Sequence, residues 1–350
     1  MVDHPAADSD EIRYSRQVLF EGIGKEGQQR LSVARVAIVG CGALGCFHAT
    51  LLARAGVGKL RLIDRDFVEF SNLQRQILFD EEDARQILPK AGAAQQKLQR
   101  VNSRIRIDAE IEDLNSGNAH RLLSDVDLIL DGSDNFEVRL LVNDFAVARN
   151  VPWIYGACVG SYGLTFTIIP GETPCLRCLF ESAPPPGTMP TCDTAGVLGS
   201  IVSVISGLQT AEALKLLAGR REALNPGLQA VDVWEGRLQT VSLGPGSRRS
   251  DCPACGRREF EHLEGRVESN AVMLCGRDSV QVRPLSAGKV DLETLEKKLA
   301  PLGGVERNRY LLRARIEPYL ITVFTDGRAI ITGTRDEGVA RSVYARYIGH

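Results

Sequence analysis

The sequence predicts an α/β fold with a mixed, mainly parallel sheet, followed by a small α+β domain at the C-terminal end. From Arg35 onward, short β-rich runs alternate with helical stretches, the βαβα order that builds a parallel sheet with helices on both faces. Beyond a charged, linker-like stretch at residues 256–266, a new set of short elements begins. The length of 350 residues suits about two domains.

The elements of the first domain follow from runs of β-branched and apolar residues that end at Gly or Asp, and from the longer stretches between them. Strands are predicted at residues 35–40, 59–64, 105–111 and 127–134, and helices at residues 43–55, 116–124 and 136–149. Two later runs, 153–160 and 164–170, are joined only by Ser161-Tyr162-Gly163. A connection this short favours a hairpin, so the sheet is expected to be mixed.

Two later stretches need separate interpretation. Six prolines between Pro170 and Pro190 predict that the segment Cys175–Cys192 is a long loop without regular structure. The stretch Thr194–Ala211 carries no charged residue, but glycines, Ser/Thr and Gln209 interrupt it and Glu212 follows at once. We therefore expect a buried helix or helix pair here, not a membrane span.

The chain is expected to divide into an N-terminal helical arm (residues 1–30), a main domain (residues 31–264) and a small α+β domain (residues 265–350). In the last of these, residues 271–284, 292–299, 310–316, 320–332 and 337–347 predict the order strand, helix, strand, strand, helix. An appended sheet of this size is suited to docking another protein.

Composition and charge exclude several classes of protein. The 42 Lys plus Arg nearly balance the 44 Asp plus Glu, which gives no electrostatic reason to expect a nucleic acid or membrane partner. The polar, acidic N-terminus, residues 1–11, lacks the features of a signal peptide. We therefore expect a cytoplasmic protein.

A glycine motif follows the first strand. Gly40-Cys41-Gly42-Ala43-Leu44-Gly45 ends that strand and opens a helix, the context in which backbone amides approach a phosphate. Asp64 ends the next strand, where an acid accepts the ribose hydroxyls of a nucleotide. The alternative is that the glycines only allow close helix packing. The motif alone would also fit NAD and a Rossmann-type oxidoreductase.

Basic residues near this crevice favour ATP over NAD. Arg75 follows Asp64 in DFVEFSNLQRQ, Lys90 follows Pro89, and Arg16 lies near the N-terminus. Three separate cations suit the β- and γ-phosphates of ATP, although each one alone is as readily a solvated surface charge. Asp134 follows another strand, where a carboxylate can hold Mg²⁺, while Asp134 or Asn135 can alternatively cap the next helix.

Four of the nine cysteines form two CxxC pairs, Cys175/Cys178 and Cys252/Cys255. In a cytosolic chain this pattern favours zinc over disulfides, and the two pairs can close into one tetrahedral site if the fold brings them together. A closed site with four thiolates leaves no position for substrate, so we assign it to stability. The remaining cysteines other than Cys192 are interpreted as packing residues: Cys41, Cys46, Cys158 and Cys275.

The motifs occur in an order that resembles the MoeB/ThiF/HesA family, the ubiquitin-activating-enzyme-like adenylyltransferases. They are RYSRQ, GCGALG, SNLQRQ, SDNFEVR, CLRC, TCDTAGVLGS and CPAC, and they cover residues 12–256. The resemblance implies ATP-dependent adenylation of the C-terminal glycine of a ubiquitin-like sulfur-carrier protein that ends in Gly-Gly, for molybdopterin, thiamine or related synthesis. It also implies a homodimer, a joined Cys₄ zinc site and, as a further partner, a sulfurtransferase.

Site residues carry over by motif. Asp64 holds the ribose, Asn72, Arg75 and Lys90 hold the triphosphate, and Asp134 binds Mg²⁺ or organises the reacting carboxylate. The arginine at the position of Arg16 reaches the ATP of the partner protomer, and Arg139 has a supporting role. Ala43 replaces a frequent glycine but still fits a helix start. The remaining nucleotide-binding candidates are Gly40, Gly42, Gly45, Ser71, Leu73, Gln74 and Asn135.

Cys192 matches the cysteine that, in some relatives, links covalently to the activated carrier or passes sulfur to it. It precedes a predicted helix start, which lowers the pKa of a thiol, and its alternative role is a buried hydrophobe.

Two other functions are weighed against adenylation. An NAD-dependent oxidoreductase lacks a histidine suited to the crevice, and a non-catalytic activating-enzyme-like scaffold would have lost adenylation residues that are present here.

Overall fold

The computed structural model of the chain describes residues 10–180, 192–243, 245–267, 271–273, 278–282 and 290–349. The chain divides into two compact units, Met1–Arg266 and Val267–His350.

The first unit is built on one eight-stranded sheet. Its strands are β1 (Arg35–Val39), β2 (Lys59–Ile63), β3 (Arg106–Glu110), β4 (Leu128–Asp131), β5 (Trp153–Val159), β6 (Tyr162–Ile168), β7 (Gly227–Asp232) and β8 (Arg237–Ser242). The order is β3-β2-β1-β4-β5-β6-β7-β8; β3 to β5 pair in parallel and β5 to β8 pair antiparallel. The predicted mixed sheet and its hairpin are confirmed, with Val159 opposite Tyr162.

Eleven described helices accompany this sheet: α1 (Asp10–Arg13), α2 (Ser15–Val18), α3 (Gly24–Val33), α4 (Ala43–Ala55), α5 (Glu81–Arg85), α6 (Lys90–Val101), α7 (Ser116–Leu123), α8 (Phe136–Arg149), α9 (Leu176–Leu179), α10 (Cys192–Ala195) and α11 (Gly199–Ala218). They cover both faces of the sheet. Val36 and Ile38 enter one core with α4 and α6, whereas Ala37 and Val39 enter a second core with α7 and α8. Burial on both faces explains why the parallel strands are apolar runs without alternation.

The apolar stretch predicted as a helix or helix pair is a pair, α10 and α11. Helix α11 continues past Glu212 and Lys215 and packs against α4, β5 and β6. It is the one described helix long and apolar enough to cross a membrane, and half of its most apolar window is buried inside the fold. A core helix has this same composition.

The prediction that the segment Cys175–Cys192 has no regular structure is wrong at both of its ends. Residues 176–179 form the single helical turn α9, which contains Cys178 and directly follows Cys175, and Cys192 opens α10. Pro170 and Pro174 precede this turn and the next proline is Pro184, so residues 176–179 contain no proline and can form a helical turn. Residues 181–191 lie outside the described part of the chain.

The second unit contains a six-stranded antiparallel sheet, in which three strands were predicted. Its strands are β9 (Ala271–Met273), β10 (Ser279–Val282), β11 (Gly304–Arg307), β12 (Leu311–Ile316), β13 (Tyr319–Phe324) and β14 (Ala329–Thr332). Helices α12 (Leu292–Leu299) and α13 (Glu337–Tyr347) contribute side chains to one core with these strands. The predicted strand 320–332 is a hairpin, because Asp326-Gly327 forms a turn with Gly327 at φ 86°.

Candidate active site and metal centre

The glycine motif forms a tight turn between β1 and α4. Gly40 has φ 88°, and a Cβ on it would lie 2.6 Å from the Gly132 carbonyl oxygen. A Cβ on Gly45 would lie 1.8 Å from the Gly40 carbonyl oxygen. A Cβ on Gly42 would meet nothing closer than 3.9 Å. Gly40 and Gly45 therefore serve close packing, as the alternative interpretation held, while Gly42 and Ala43 leave an open helix N-terminus that suits a phosphate.

Asp64 is anchored to this turn. Its Oδ2 accepts a hydrogen bond from the Cys41 amide at 2.6 Å, and its Oδ1 accepts one from the Asp66 amide at 2.6 Å. Burial raises the pKa of Asp64, and the charge of Lys90 opposes that shift. Each carboxylate oxygen keeps a further lone pair, so the residue can still accept ribose hydroxyls.

Lys90 begins α6 and is 5% exposed. Its Nζ lies 3.1 Å from Oδ2 of Asp66. Burial lowers the pKa of Lys90, but the carboxylates of Asp66 and Asp64 outweigh burial, so the pKa is raised and the side chain is a cation. The alternative of a solvated surface charge is wrong for this residue.

The SNLQRQ motif forms a 3-10 turn at Phe70–Asn72 and the residues after it. Asn72 is buried and its Oδ1 accepts from the Glu69 amide at 3.2 Å. Arg75 is half-buried and donates to the Ser71 carbonyl at 3.0 Å. Ser71 and Gln74 are exposed, and Leu73 packs against the core. The next residue in the motif, Gln76, was missed; it is 3% exposed, and its amide nitrogen would be the nearest neighbour of a Cβ on Gly42.

Asp134 is exposed in the loop that follows β4. Its charge contributes to the raised pKa of Lys90, so the two side chains lie near each other. Asn135 is the helix cap foreseen as an alternative, because its Oδ1 accepts from the Glu137 amide at 2.8 Å. The structure thus separates the two neighbours: Asn135 caps α8 and Asp134 is free of that role.

Arg139 links the loop after β4 to strands β4 and β5 through hydrogen bonds. Its Nε donates to Oδ2 of Asp131 at 3.0 Å, and its Nη2 donates to the carbonyls of Ser133 at 2.7 Å and Gly156 at 3.1 Å. The guanidinium is therefore engaged by the protein, which agrees with the supporting role expected of it.

Arg16 is not brought to the crevice of its own chain. It is exposed on α2, and its neighbour Gln17 donates to the Ala55 carbonyl at 2.9 Å. Tyr14 packs against Gly56. Both contacts hold α2 at the C-terminal end of α4, whereas the glycine turn lies at the N-terminal end. A helix of 13 residues separates the two ends by about 20 Å, which exceeds the reach of an arginine side chain.

The four CxxC cysteines converge, as predicted. The Sγ atoms of Cys175 and Cys252 lie 3.6 Å apart and those of Cys178 and Cys255 lie 3.4 Å apart, and all four lie within 4.8 Å of one another. Zinc–sulfur bonds of about 2.3 Å in a tetrahedron require sulfur separations of about 3.8 Å. The Asn143 Oδ1 accepts from the Leu176 amide at 2.8 Å and fixes the first CxxC turn. The donor set therefore fits a closed structural zinc site.

The other cysteines differ in what the structure says of them. Cys41 and Cys46 are fully buried and Cys158 is half-buried, which agrees with packing roles. Cys275 and the side chain of Cys192 lie outside the described residues. The segment after α10 is pinned to the end of β5, because the Gly160 amide donates to the Gly196 carbonyl at 2.8 Å.

Comparison with known proteins identifies the family. Residues 14–254 match the ThiF family. The chain is 44% identical over 338 residues to the sulfur carrier protein ThiS adenylyltransferase of Bacillus subtilis, covering 96% of this chain and 99% of that protein. It is 38% identical over 264 residues to the SAMP-activating enzyme E1 of Haloferax volcanii, covering 75% of this chain and 96% of that protein.

A solved structure, Escherichia coli MccB with ATP, has a TM-score of 0.61 and 25% identity, covering 70% of this chain and 74% of that chain. The extent of the family match and of the relatives' coverage shows that this chain belongs to the ThiF family.

Proposed function

We propose that this protein adenylates the C-terminal glycine of a ubiquitin-like sulfur carrier that ends in Gly-Gly, at the expense of ATP, for sulfur transfer in thiamine, molybdopterin or related synthesis. One observation carries the proposal. An open helix N-terminus at Gly42, an anchored Asp64, a cationic Lys90 and an exposed Asp134 converge where parallel strands end. The likeness to a ThiS adenylyltransferase along 96% of the chain supports the same chemistry.

We propose the following roles for the site residues, which the geometry supports. The carrier carboxylate attacks the α-phosphorus of ATP, the bond from that phosphorus to the bridging oxygen breaks, and pyrophosphate leaves. Amides at Gly42 and Ala43, with Asn72, Arg75 and Lys90, hold the triphosphate and neutralise charge on the departing pyrophosphate. Asp64 orients the ribose. Asp134 would hold Mg²⁺, which supplies further charge neutralisation between the phosphates.

The two other functions considered from the sequence are less well supported. An NAD-dependent oxidoreductase that uses a histidine as its proton donor or acceptor needs that histidine at the crevice. Among the described histidines, His48 is fully buried and its pKa is lowered to about 4 by burial, His120 contacts Arg149, and His262 lies next to Glu261. A non-catalytic scaffold does not require the charged crevice that this chain retains.

The test is exchange of labelled pyrophosphate into ATP in the presence of candidate carriers. Adenylation is reversible until the acyl-adenylate is consumed, so a correct carrier produces exchange. The matched control is the same carrier without its last glycine, which should produce none. Absence of exchange with every Gly-Gly carrier tested would contradict the proposal.

We further propose a homodimer in which Arg16 completes the partner's site. Its own crevice is out of reach, and it lies among exposed apolar side chains: Leu19 is 71% exposed and Phe20 is 66% exposed. Such a surface suits contact with a second copy of the chain.

Mixing Arg16→Ala with Asp134→Ala protomers should restore about a quarter of wild-type exchange, since roughly half of the dimers are mixed and each rebuilds one intact site. Each variant alone should be nearly inactive. If the mixture stays inactive although labelled subunits demonstrably exchange, Arg16 does not act in the partner's site.

The second unit, Val267–His350, is proposed to dock the carrier or a sulfurtransferase. The relative from Bacillus subtilis matches over 99% of its length and so shares this part of the chain.

A chain ending at Arg266 should show a several-fold higher KM for the carrier. Its KM for ATP and its kcat at saturating carrier should be nearly unchanged, because the nucleotide site lies in the first unit. Unchanged carrier kinetics would mean that the unit does not bind the carrier.

Cys192 is proposed to attack the acyl-adenylate and form a thioester with release of AMP. Alternatively, after a sulfurtransferase has delivered a persulfide sulfur to it, it passes that sulfur to the carrier as an acyl disulfide, again with release of AMP. The likeness of the TCDTAGV segment to the family motif supports this role. Its position at the start of α10, one short segment from the end of β5, is compatible with access to the crevice.

A further inference from the structure

Strands β4 and β5 separate at the edge of the crevice. Their parallel ladder consists of two register pairs, Ile129 with Trp153 and Leu130 with Ile154. At the end of this ladder, a side chain of α11 lies between the two strands. Gln209 Nε2 donates to the carbonyls of Asp131 at 3.0 Å and Ile154 at 3.2 Å. Gln209 is fully buried. Its amide group therefore continues the link between the two strands where backbone pairing ends.

A glycine in β5 leaves the space between the strands that this amide occupies. A Cβ on Gly156 would lie 2.4 Å from Oε1 of Gln209, so a larger residue at position 156 would displace the amide. The carbonyl of Gly156 accepts from Arg139, which also supports the Asp134 loop. The position of the Gln209 amide therefore depends on glycine at position 156.

The other end of the amide binds α4. Oε1 of Gln209 lies 2.9 Å from Nε2 of His48. Because the two carbonyl acceptors take the amide nitrogen of Gln209, its oxygen must accept, and His48 donates from Nε2. Burial lowers the pKa of His48 to about 4, so at neutral pH the ring carries one proton, and this hydrogen bond uses it.

This chain of hydrogen bonds joins the two halves of the nucleotide site. Helix α4 begins at the glycine turn, and Asp131 is the last residue of β4 before the loop that carries Asp134. The carboxylate of Asp131 also accepts from the Ser133 amide at 2.9 Å and from its hydroxyl at 2.7 Å. The base of the Asp134 loop is thus fixed by Gln209 from one side and by its own turn from the other.

We propose that Gln209 is a positioning residue for adenylation, which, together with His48, holds the Asp134 loop at a fixed place relative to the glycine turn. The inference rests on the proposed function, because it assigns Asp134 to the reacting phosphates. Because Gln209 is fully buried, its proposed role is to hold the loop and not to contact a substrate. Displacement of a catalytic group by about 1 Å can cost about a hundredfold in rate, so loss of this link should slow the chemical step more than it weakens ATP binding.

Gln209→Met keeps the length of the side chain and removes the hydrogen bonds. We expect kcat for carrier-dependent exchange, per folded molecule, to fall about 10- to 100-fold, with the KM for ATP changed less than about threefold. The matched control is Gln95→Met, because Gln95 also donates its amide to a strand carbonyl, that of Ile107 in β3 at 2.6 Å. That variant should keep wild-type kcat.

Substitutions at His48 test the link without removing Gln209. His48→Leu should lower kcat, His48→Gln should restore most of it because it can again donate, and His48→Leu should add nothing in the Gln209→Met background. These variants decide the question by themselves if Gln209→Met does not fold. Equal kcat for His48→Leu, His48→Gln and wild type, or a lower Tm for Gln209→Met with unchanged kcat per folded molecule, would overturn the inference. Absence of exchange in the wild type and in Gln95→Met would instead count against the proposed function.

Discussion

Replacing Asp134 with alanine is expected to abolish carrier-dependent pyrophosphate exchange while leaving thermal unfolding nearly unchanged. The side chain is exposed, and the helix cap is provided by its neighbour Asn135. Its loss therefore costs little stability. Its charge, however, acts on Lys90, and charge alignment on the reacting phosphates contributes on the order of 10²–10³ in rate.

The control for this experiment is Asp127→Ala. Asp127 lies just before the other end of β4 and forms an exposed ion pair with Arg35 at 3.3 Å. An exposed pair of this kind contributes little stability, so the variant should keep wild-type exchange. Wild-type exchange in Asp134→Ala would show that this carboxylate has no part in the reaction.

Replacing Cys178 with serine is expected to release zinc and to destabilise the first unit strongly. The four thiols lie within 4.8 Å of one another, and a structural zinc bound by them contributes its binding energy to folding. A ligand present at about a thousand times its Kd stabilises by on the order of 4 kcal/mol, and we expect a loss of at least this size. Elemental analysis and denaturant unfolding measure the two effects.

Cys158→Ser is the matched control, because Cys158 is a half-buried thiol whose Sγ lies 3.9 Å from the Ile201 carbonyl and which belongs to no metal cluster of the described residues. It should retain one zinc per chain and lose little stability. Wild-type protein that contains no zinc after purification without chelators would refute the metal site.

The parts of the fold that local sequence patterns determine were predicted correctly. The turn between β1 and α4 follows from the glycine spacing, and the β5–β6 hairpin follows from its short connection. Strands β7 and β8 were both missed. The six residues of β8 are all exposed and show no alternation of apolar and polar side chains. Strand β11, Gly304–Arg307, was missed because it is short, mostly polar and mostly exposed.

Contacts between residues far apart in the chain were not accessible in the same way. The spacing within each CxxC pair indicates metal ligands, but only the fold, or a resemblance to a family, places Cys178 beside Cys255. Gln209 looked like an interruption of an apolar stretch, and its partner His48 is 161 positions away. The one amide side chain in such a stretch is the local signal that could have indicated this network, because a buried amide needs hydrogen-bond partners.

The most direct test of carrier adenylation is the intact mass of a Gly-Gly carrier after incubation with this enzyme, ATP and Mg²⁺, with rapid quenching. We expect the carrier to gain one adenylyl group on its C-terminal glycine, with release of pyrophosphate. We expect no such product with Asp134→Ala enzyme or with a carrier lacking the last glycine. An unmodified carrier with every Gly-Gly protein tested, or an adenylyl group attached elsewhere on the carrier, would contradict it.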